Sequence, residues 1–262
     1  MTATNGYSLA GSPFELTGRV ALVTGGGRGL GREIARALAL AGADVAIAGR
    51  SEEHLRAGLD EIVDGTGRTG FYLVADVARR GEPERVAQAV LDRFGRVDIL
   101  VSNAGANVQQ PVEDITDGAW DAVLGVYVHA AMALSRTLVG QMKERRWGRL
   151  IYVSSALGLI GLPRRSAYSA AKAALMGMAR VHAVELGPYG ITANCIAPGP
   201  FRTDVFSRLA PEELKVLNDW TALARPGRPA ELIGPLLLLA SDAGSYITGT
   251  TLVVDGGWMV KA

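Results

Sequence analysis

A tyrosine and a lysine four residues apart, Tyr168 and Lys172, are the pair in this sequence whose types and spacing suit proton transfer. On a helix that spacing puts both side chains on one face, and the residues between them, Ser169, Ala170 and Ala171, are small. A free phenol has a pKa of ~10, too high for efficient acid-base work near neutrality. An adjacent ammonium favours the phenolate, and each unit of downward shift needs about 1.4 kcal/mol of differential stabilisation. The same spacing also describes an ordinary polar pair, so it is not an assignment by itself. Ser155 follows an apolar run, where its hydroxyl could hold a substrate carbonyl or simply cap a turn.

A second group of residues points to a dinucleotide. Thr24-Gly25-Gly26-Gly27-Arg28-Gly29-Leu30-Gly31 joins a buried-type run, Val20 to Val23, to a helical stripe of Leu30, Ile34, Leu38 and Ala41 that ends at Gly42. Glycines there permit a tight turn and close backbone approach to a pyrophosphate, which the amides and dipole of a helix N-terminus hold. The spacing Gly-x3-Gly-x-Gly differs from the common G-x-G-x-x-G, and a glycine-rich turn can also be no more than a tight connection. The next strand ends in Ala48-Gly49-Arg50, where a carboxylate would hold an adenosine ribose 2'-hydroxyl. Without that carboxylate a 2'-phosphate is not repelled, and Arg50 with Arg28 can clamp it through charge-assisted bonds. NADP is therefore expected over NAD, unless the two arginines are solvated surface groups.

The elements that must position these residues alternate short apolar runs with stretches of helical period, the pattern of β-α-β units and a parallel sheet. Strands are expected at Val20 to Val23, Val45 to Ala48, Phe71 to Val74, Val97 to Val101, Leu150 to Val153, Thr192 to Ala197 and Thr251 to Val254. Between them, Ser51 is an N-cap ahead of Glu52 and Glu53, and Pro83 sits in the first turn of another helix. Trp120 to Met142 and Ala167 to Glu185 read as long helices, and Glu231 to Ala240 as a final one. Residues 1–13 read as a flexible tail and 14–262 as one domain, in which 198–225 is a less regular insertion with a helical piece from Glu212 to Asn218.

Composition narrows the function classes. The chain has 262 residues, 48% hydrophobic and 20% charged, enough to bury a large core. A formal charge of +1 with no basic run argues against nucleic acid as a partner. The single cysteine, Cys195, excludes an internal disulfide, and no metal-ligand spacing is found. His54, His129 and His182 are scattered. No apolar stretch reads as a membrane span and no signal peptide is apparent, so a cytoplasmic protein is expected.

Taken together, the residues resemble the short-chain dehydrogenase/reductase family from Phe14 to Trp258, and within it the gluconate 5-dehydrogenases and 3-oxoacyl reductases. The motifs that carry the resemblance are Thr24-Gly25-x-x-x-Gly29-x-Gly31, Asp76, Asn103-Ala104-Gly105, Ser155, Tyr168-x-x-x-Lys172, Asn194, Pro198-Gly199 with Thr203, and Asp255-Gly256-Gly257. It implies an α/β fold, a doubly wound Rossmann domain with a seven-stranded parallel sheet flanked by helices. It further implies a homotetramer that interconverts a secondary alcohol and a ketone. In that reading Tyr168 is the general acid or base, Ser155 orients the substrate oxygen, and Lys172 binds the nicotinamide ribose while lowering the tyrosine pKa. Gly25, Arg28, Gly29, Leu30 and Gly31 then belong to the cofactor site with Arg50. Asp76 and Val77 look like the adenine contact, Asn103, Ala104 and Gly105 the strand end beside it, and Pro198, Gly199 and Thr203 the nicotinamide side.

One position departs from the pattern. Where the family carries an asparagine that supports a water-linked proton relay to the lysine, this chain has Tyr127. Its hydroxyl could donate, or the ring could pack as a core aromatic. The departure admits a second reading, a dinucleotide-binding scaffold or sensor that has lost efficient catalysis. For the substrate, Phe201, Phe206, Leu209, Leu217 and Trp220 suggest apolar walls, while Arg164, Arg165 and Arg202 are either carboxylate partners or solvated.

Overall fold

The computed structural model describes residues 11–106, 108–202 and 218–261. Seven strands form one sheet: Val20–Thr24 (β1), Asp44–Gly49 (β2), Gly70–Val74 (β3), Ile99–Ser102 (β4), Gly148–Val153 (β5), Ile191–Pro198 (β6) and Thr251–Val254 (β7). Every pairing is parallel, and the spatial order is β3-β2-β1-β4-β5-β6-β7. This is the parallel sheet that the alternating pattern implied, in the doubly wound form that the family resemblance implied.

Successive side chains of a strand point to opposite faces, so a sheet covered on both sides needs runs that are apolar at every position. Leu22, Leu100, Leu150 and Tyr152 enter one core with the helices Glu82–Phe94 (α3) and Ser166–Leu186 (α6). Their neighbours Ala21, Val23, Ile99, Val101 and Ile151 enter the other, with Gly29–Leu40 (α1), Glu52–Val63 (α2) and the late helix Ile233–Ala240. At the start of α2 the Ser51 hydroxyl accepts from the His54 N–H at 3.3 Å, the cap read from the sequence.

The structure differs from expectation in two helices. The long helix is not regular: Asp117–Leu124 (α4) passes through a π-helical turn, Gly125–His129, into Ala130–Arg145 (α5). The final helix is shorter than expected, because Pro229–Leu232 is a 3-10 turn. There Glu231 is drawn back by Arg225, at 2.7 Å to each carboxylate oxygen, and by the Arg228 N–H at 2.8 Å. The helical piece expected from Glu212 lies outside the described residues except for Asn218.

Among the described residues one helix, Asp117–Arg145, is long and apolar enough to cross a membrane by length and composition. Half of its most apolar window is buried inside the fold, with Leu134 and Leu138 in the same core as the sheet.

Candidate active site

In a parallel sheet all carboxyl ends lie on one edge, and the order here reverses between β1 and β4, which opens a crevice above their ends. The glycine turn leaves β1 into that crevice. Gly25 and Gly29 take φ values of +69° and +55°, the left-handed region open mainly to glycine. A Cβ on Gly31 would overlap the Gly25 carbonyl, so only glycine lets α1 begin this close to the strand. Arg28 is the N-cap of α1 but makes no side-chain cap bond, and the first turn holds no acidic residue. Amides left without a cap at a helix N-terminus are an anion site, so these residues fit a pyrophosphate. Leu30 packs downward against the core and anchors the turn.

The other predicted cofactor residues gather on the same edge. Arg28 and Arg50 are both exposed, and Gly49 closes β2 without a carboxylate. After β3, Asp76 Oδ1 accepts from the Ala78 N–H at 3.1 Å, and Val77 is buried. After β4, the Asn103 side-chain amide donates to the Thr24 carbonyl at 3.0 Å. The Asn103 and Ala104 N–H groups both donate to Thr24 Oγ1 at 3.0 Å. These bonds lock the ends of β1 and β4 together at the crevice, and Gly105 follows directly. Pro198 ends β6, and the Gly199 N–H donates to the Val254 carbonyl at 3.0 Å. Asn194, deeper in β6, ties the sheet to the chain before β7 through the Ile247 carbonyl at 2.8 Å and the Thr250 N–H at 3.1 Å.

Thr203, Phe206, Leu209 and Leu217 lie outside the described residues. Phe201 is no pocket wall: it is buried in the core beneath the sheet, against the bare face of Gly227. Trp220 does reach the site. It stacks on Trp258 at 5.3 Å between ring centres, in a cluster that holds Leu157, Ile160, Leu162 and Tyr168.

On the proton-transfer side, Ser155 begins the turn after β5 and Tyr168 lies in the first turn of α6. Ser155 Oγ accepts from the Leu157 N–H at 3.1 Å, so it caps a turn, and it also donates to the Tyr168 oxygen. The turn cap expected of this serine is present, and the same hydroxyl also reaches the Tyr168 oxygen. Lys172 is only 3% exposed. Its ammonium donates to the Val153 carbonyl at 2.6 Å and lies 5.5 Å from the centre of the Tyr168 ring. Burial brings the Lys172 pKa down to about 7, with the Cys195 thiolate form the one charge that opposes the shift.

Burial likewise pushes the Tyr168 phenol up; the Ser155 hydrogen bond and then the Arg165 charge pull the other way. Arg165 was not singled out as a partner of the tyrosine. Its guanidinium stands 5.9 Å from the Tyr168 ring centre, from the position just before α6. The signal was present in the i,i+3 spacing of Arg165 and Tyr168. Arg164 and Arg202 are exposed.

The family described as enoyl-(acyl carrier protein) reductase matches residues 25–259. Among curated relatives, a D-beta-hydroxybutyrate dehydrogenase of Rhizobium meliloti is 34% identical over 250-odd positions, covering 93% of this chain and 99% of its own. Among solved structures, a gluconate 5-dehydrogenase from Burkholderia cenocepacia, in complex with NADP and tartrate, superposes with a TM-score of 0.89 at 32% identity, covering 95% of this chain and 98% of that one. A 3-oxoacyl (acyl-carrier-protein) reductase from Agrobacterium tumefaciens with NADP bound gives 0.90 at 30% identity, covering 98% and 100%. With nearly every residue matched in both directions, the chain belongs to the short-chain dehydrogenase/reductase family of oxidoreductases.

Proposed function

We propose that the chain interconverts a secondary alcohol and a ketone with NADP as the hydride carrier and Tyr168 as general acid or base. The observation that carries this is a half-buried phenol hydrogen-bonded by Ser155, one helical turn from Lys172, on the sheet edge that holds the uncapped N-terminus of α1. When bound, the dinucleotide supplies a hydride at its nicotinamide ring in reduction and takes it up in oxidation. Tyr168 Oη gives its proton to the substrate oxygen in reduction and receives it in oxidation. Ser155 Oγ donates to that same oxygen and fixes its distance from the phenol. Lys172 binds ribose hydroxyls through the ammonium hydrogens that Val153 does not take, and the Ser155 hydrogen bond and the Arg165 charge favour the phenolate. Arg28 and Arg50 fit the 2'-phosphate of NADP.

The wall of Leu157, Ile160, Leu162 and the stacked Trp220 and Trp258 supports a ketone with an alkyl or aryl group over a polyhydroxylated acid. Exposed Met132, Val181 and Val184 on α5 and α6 support a homo-oligomer, for which light scattering should give a tetramer mass.

The test is consumption of NADPH and of NADH over aryl and cyclic ketones, 3-oxoacyl thioesters, keto acids and sugar acids, run beside Tyr168→Phe. Turnover with NADPH that disappears in Tyr168→Phe, while the cofactor still binds, is the expected result. Tight NADPH binding without turnover of any compound would make the chain a cofactor-binding scaffold. A preference for NADH would remove the role given to Arg28 and Arg50.

A further inference from the structure

Tyr127 takes no part in the chemistry above, yet several contacts converge on it. It sits in the π-helical turn, where the Ala130 N–H reaches back five residues to the Gly125 carbonyl. Such a turn holds one residue more than an α-helical turn and so rotates the side chains it carries. Here it turns the Tyr127 ring under the catalytic pair. The ring face lies 3.9 Å from the Lys172 ammonium, and the ring meets Tyr168 edge-to-face at 5.7 Å and 86°. Its hydroxyl donates to the Ala106 carbonyl at 2.8 Å. The strand-end loop makes room for this: a Cβ on Gly105 would overlap the Tyr127 hydroxyl, so glycine lets the loop lie directly against the ring.

The lysine explains why a ring belongs there. The groups that face its ammonium are the Val153 carbonyl from β5, the Tyr168 phenol from its own helix, the Cys195 thiol from β6 and the Tyr127 ring from the π turn. Burial pushes the thiol up to about 12 and both phenols upward, so all three are neutral near pH 7. Among the described residues no carboxylate pairs with Lys172. A buried ammonium without a counter-ion is costly, and the negative face of an aromatic ring is one of the few uncharged surfaces that attracts it.

We infer that Tyr127 is a positioning residue: its ring face seats the Lys172 ammonium and the ring braces Tyr168 through their edge-to-face contact, while its hydroxyl serves as a tether to Ala106. The role of Tyr168 and Lys172 that this refines is the one proposed above. The seat itself is a property of the folded chain and is measurable without turnover.

The chain has lysines only at 143, 172, 215 and 261, so protein grown on ε-13C-lysine gives four side-chain signals, and Lys172→Met assigns the buried one. Each signal is followed by NMR against pH in the wild type, Tyr127→Phe and Tyr127→Leu, with Tyr127→Met as the second variant lacking a ring. Loss of the ring disfavours the ammonium, so Lys172 should titrate lower by about one pH unit or more in Tyr127→Leu. Tyr127→Phe should titrate with the wild type. The pH profile of ketone reduction should move with the lysine.

A Lys172 titration unmoved in both variants lacking a ring, or moved as far in Tyr127→Phe as in Tyr127→Leu, would overturn the inference. If the titration moves as expected but the wild type reduces no carbonyl compound, the ring seat stands and the proposed reaction falls.

Discussion

The two edges of the sheet bury charge in opposite ways. At the amino edge Asp98 is fully buried, and three arginines surround it. Arg96 grips it with bonds of 2.8 and 2.6 Å, Arg145 and Arg19 stand at 3.6 and 3.9 Å, and the Val20 N–H donates to it at 2.9 Å. Nearby, the buried Arg149 reaches Asp242 at 3.1 Å. At the carboxyl edge the buried cation, Lys172, meets a carbonyl, a thiol and two phenols. A buried charge beside its counter-ion is compensated, whereas burial without one favours the neutral form and brings the Lys172 pKa down to about 7. The first arrangement ties strands together; the second suits proton transfer.

Substitutions should separate these two roles. The largest effect is expected at the carboxyl edge, where Tyr168→Phe should lower kcat by roughly 10²–10⁴-fold with the urea midpoint unchanged. At the amino edge Asp98→Ala strands three guanidinium groups and a backbone N–H, and should cost about 3 kcal/mol in urea unfolding. Its turnover per folded molecule should equal the wild type; a comparable loss of kcat would mean that the two edges are coupled.

The unpaired lysine also has a signature in stability. Its folded pKa of about 7 lies below the ~10.4 of the unfolded chain, so above pH 7 the unfolded state binds the extra proton and stability rises with pH. The slope is at most about 1.4 kcal/mol per pH unit. It should be cleanest between pH 7 and ~8.5, below the unfolded thiol and phenol values, because the raised Cys195, Tyr152 and Tyr168 act in the opposite sense above them. Urea midpoints at several pH values should show this rise in the wild type and lose it in Lys172→Met. The smallest effect is expected at the rim: Arg50→Glu should shift preference from NADPH toward NADH by roughly tenfold or more, read as a ratio of kcat/KM, with the midpoint unchanged.

Much of the site was legible because its parts are local. The stripe of α1 and the glycines before it depend on backbone geometry within a few residues, and so does the placing of Tyr168 and Lys172 on one helical face. The seven apolar runs likewise became the seven strands, since a strand covered on both faces must be apolar throughout.

Other features depended on contacts between distant segments. Phe201 looked like a pocket wall and became core, because the bare Gly227 facing it comes from beyond the insertion. Glu231 looked like the start of the last helix, and it lies instead in a 3-10 turn, paired with Arg225 from the preceding loop. Nothing in Gly125 to His129 marks a π turn, since the extra residue is accommodated by the packing of that helix on α6 and on the loop after β4. The chain's local pattern thus specified which side chains could exchange a proton, while the environment that sets their charge came from three separate segments. Periodicity records hydrogen bonds a few residues apart; the electrostatics of a buried lysine depend on every group the fold brings within a few ångströms of it.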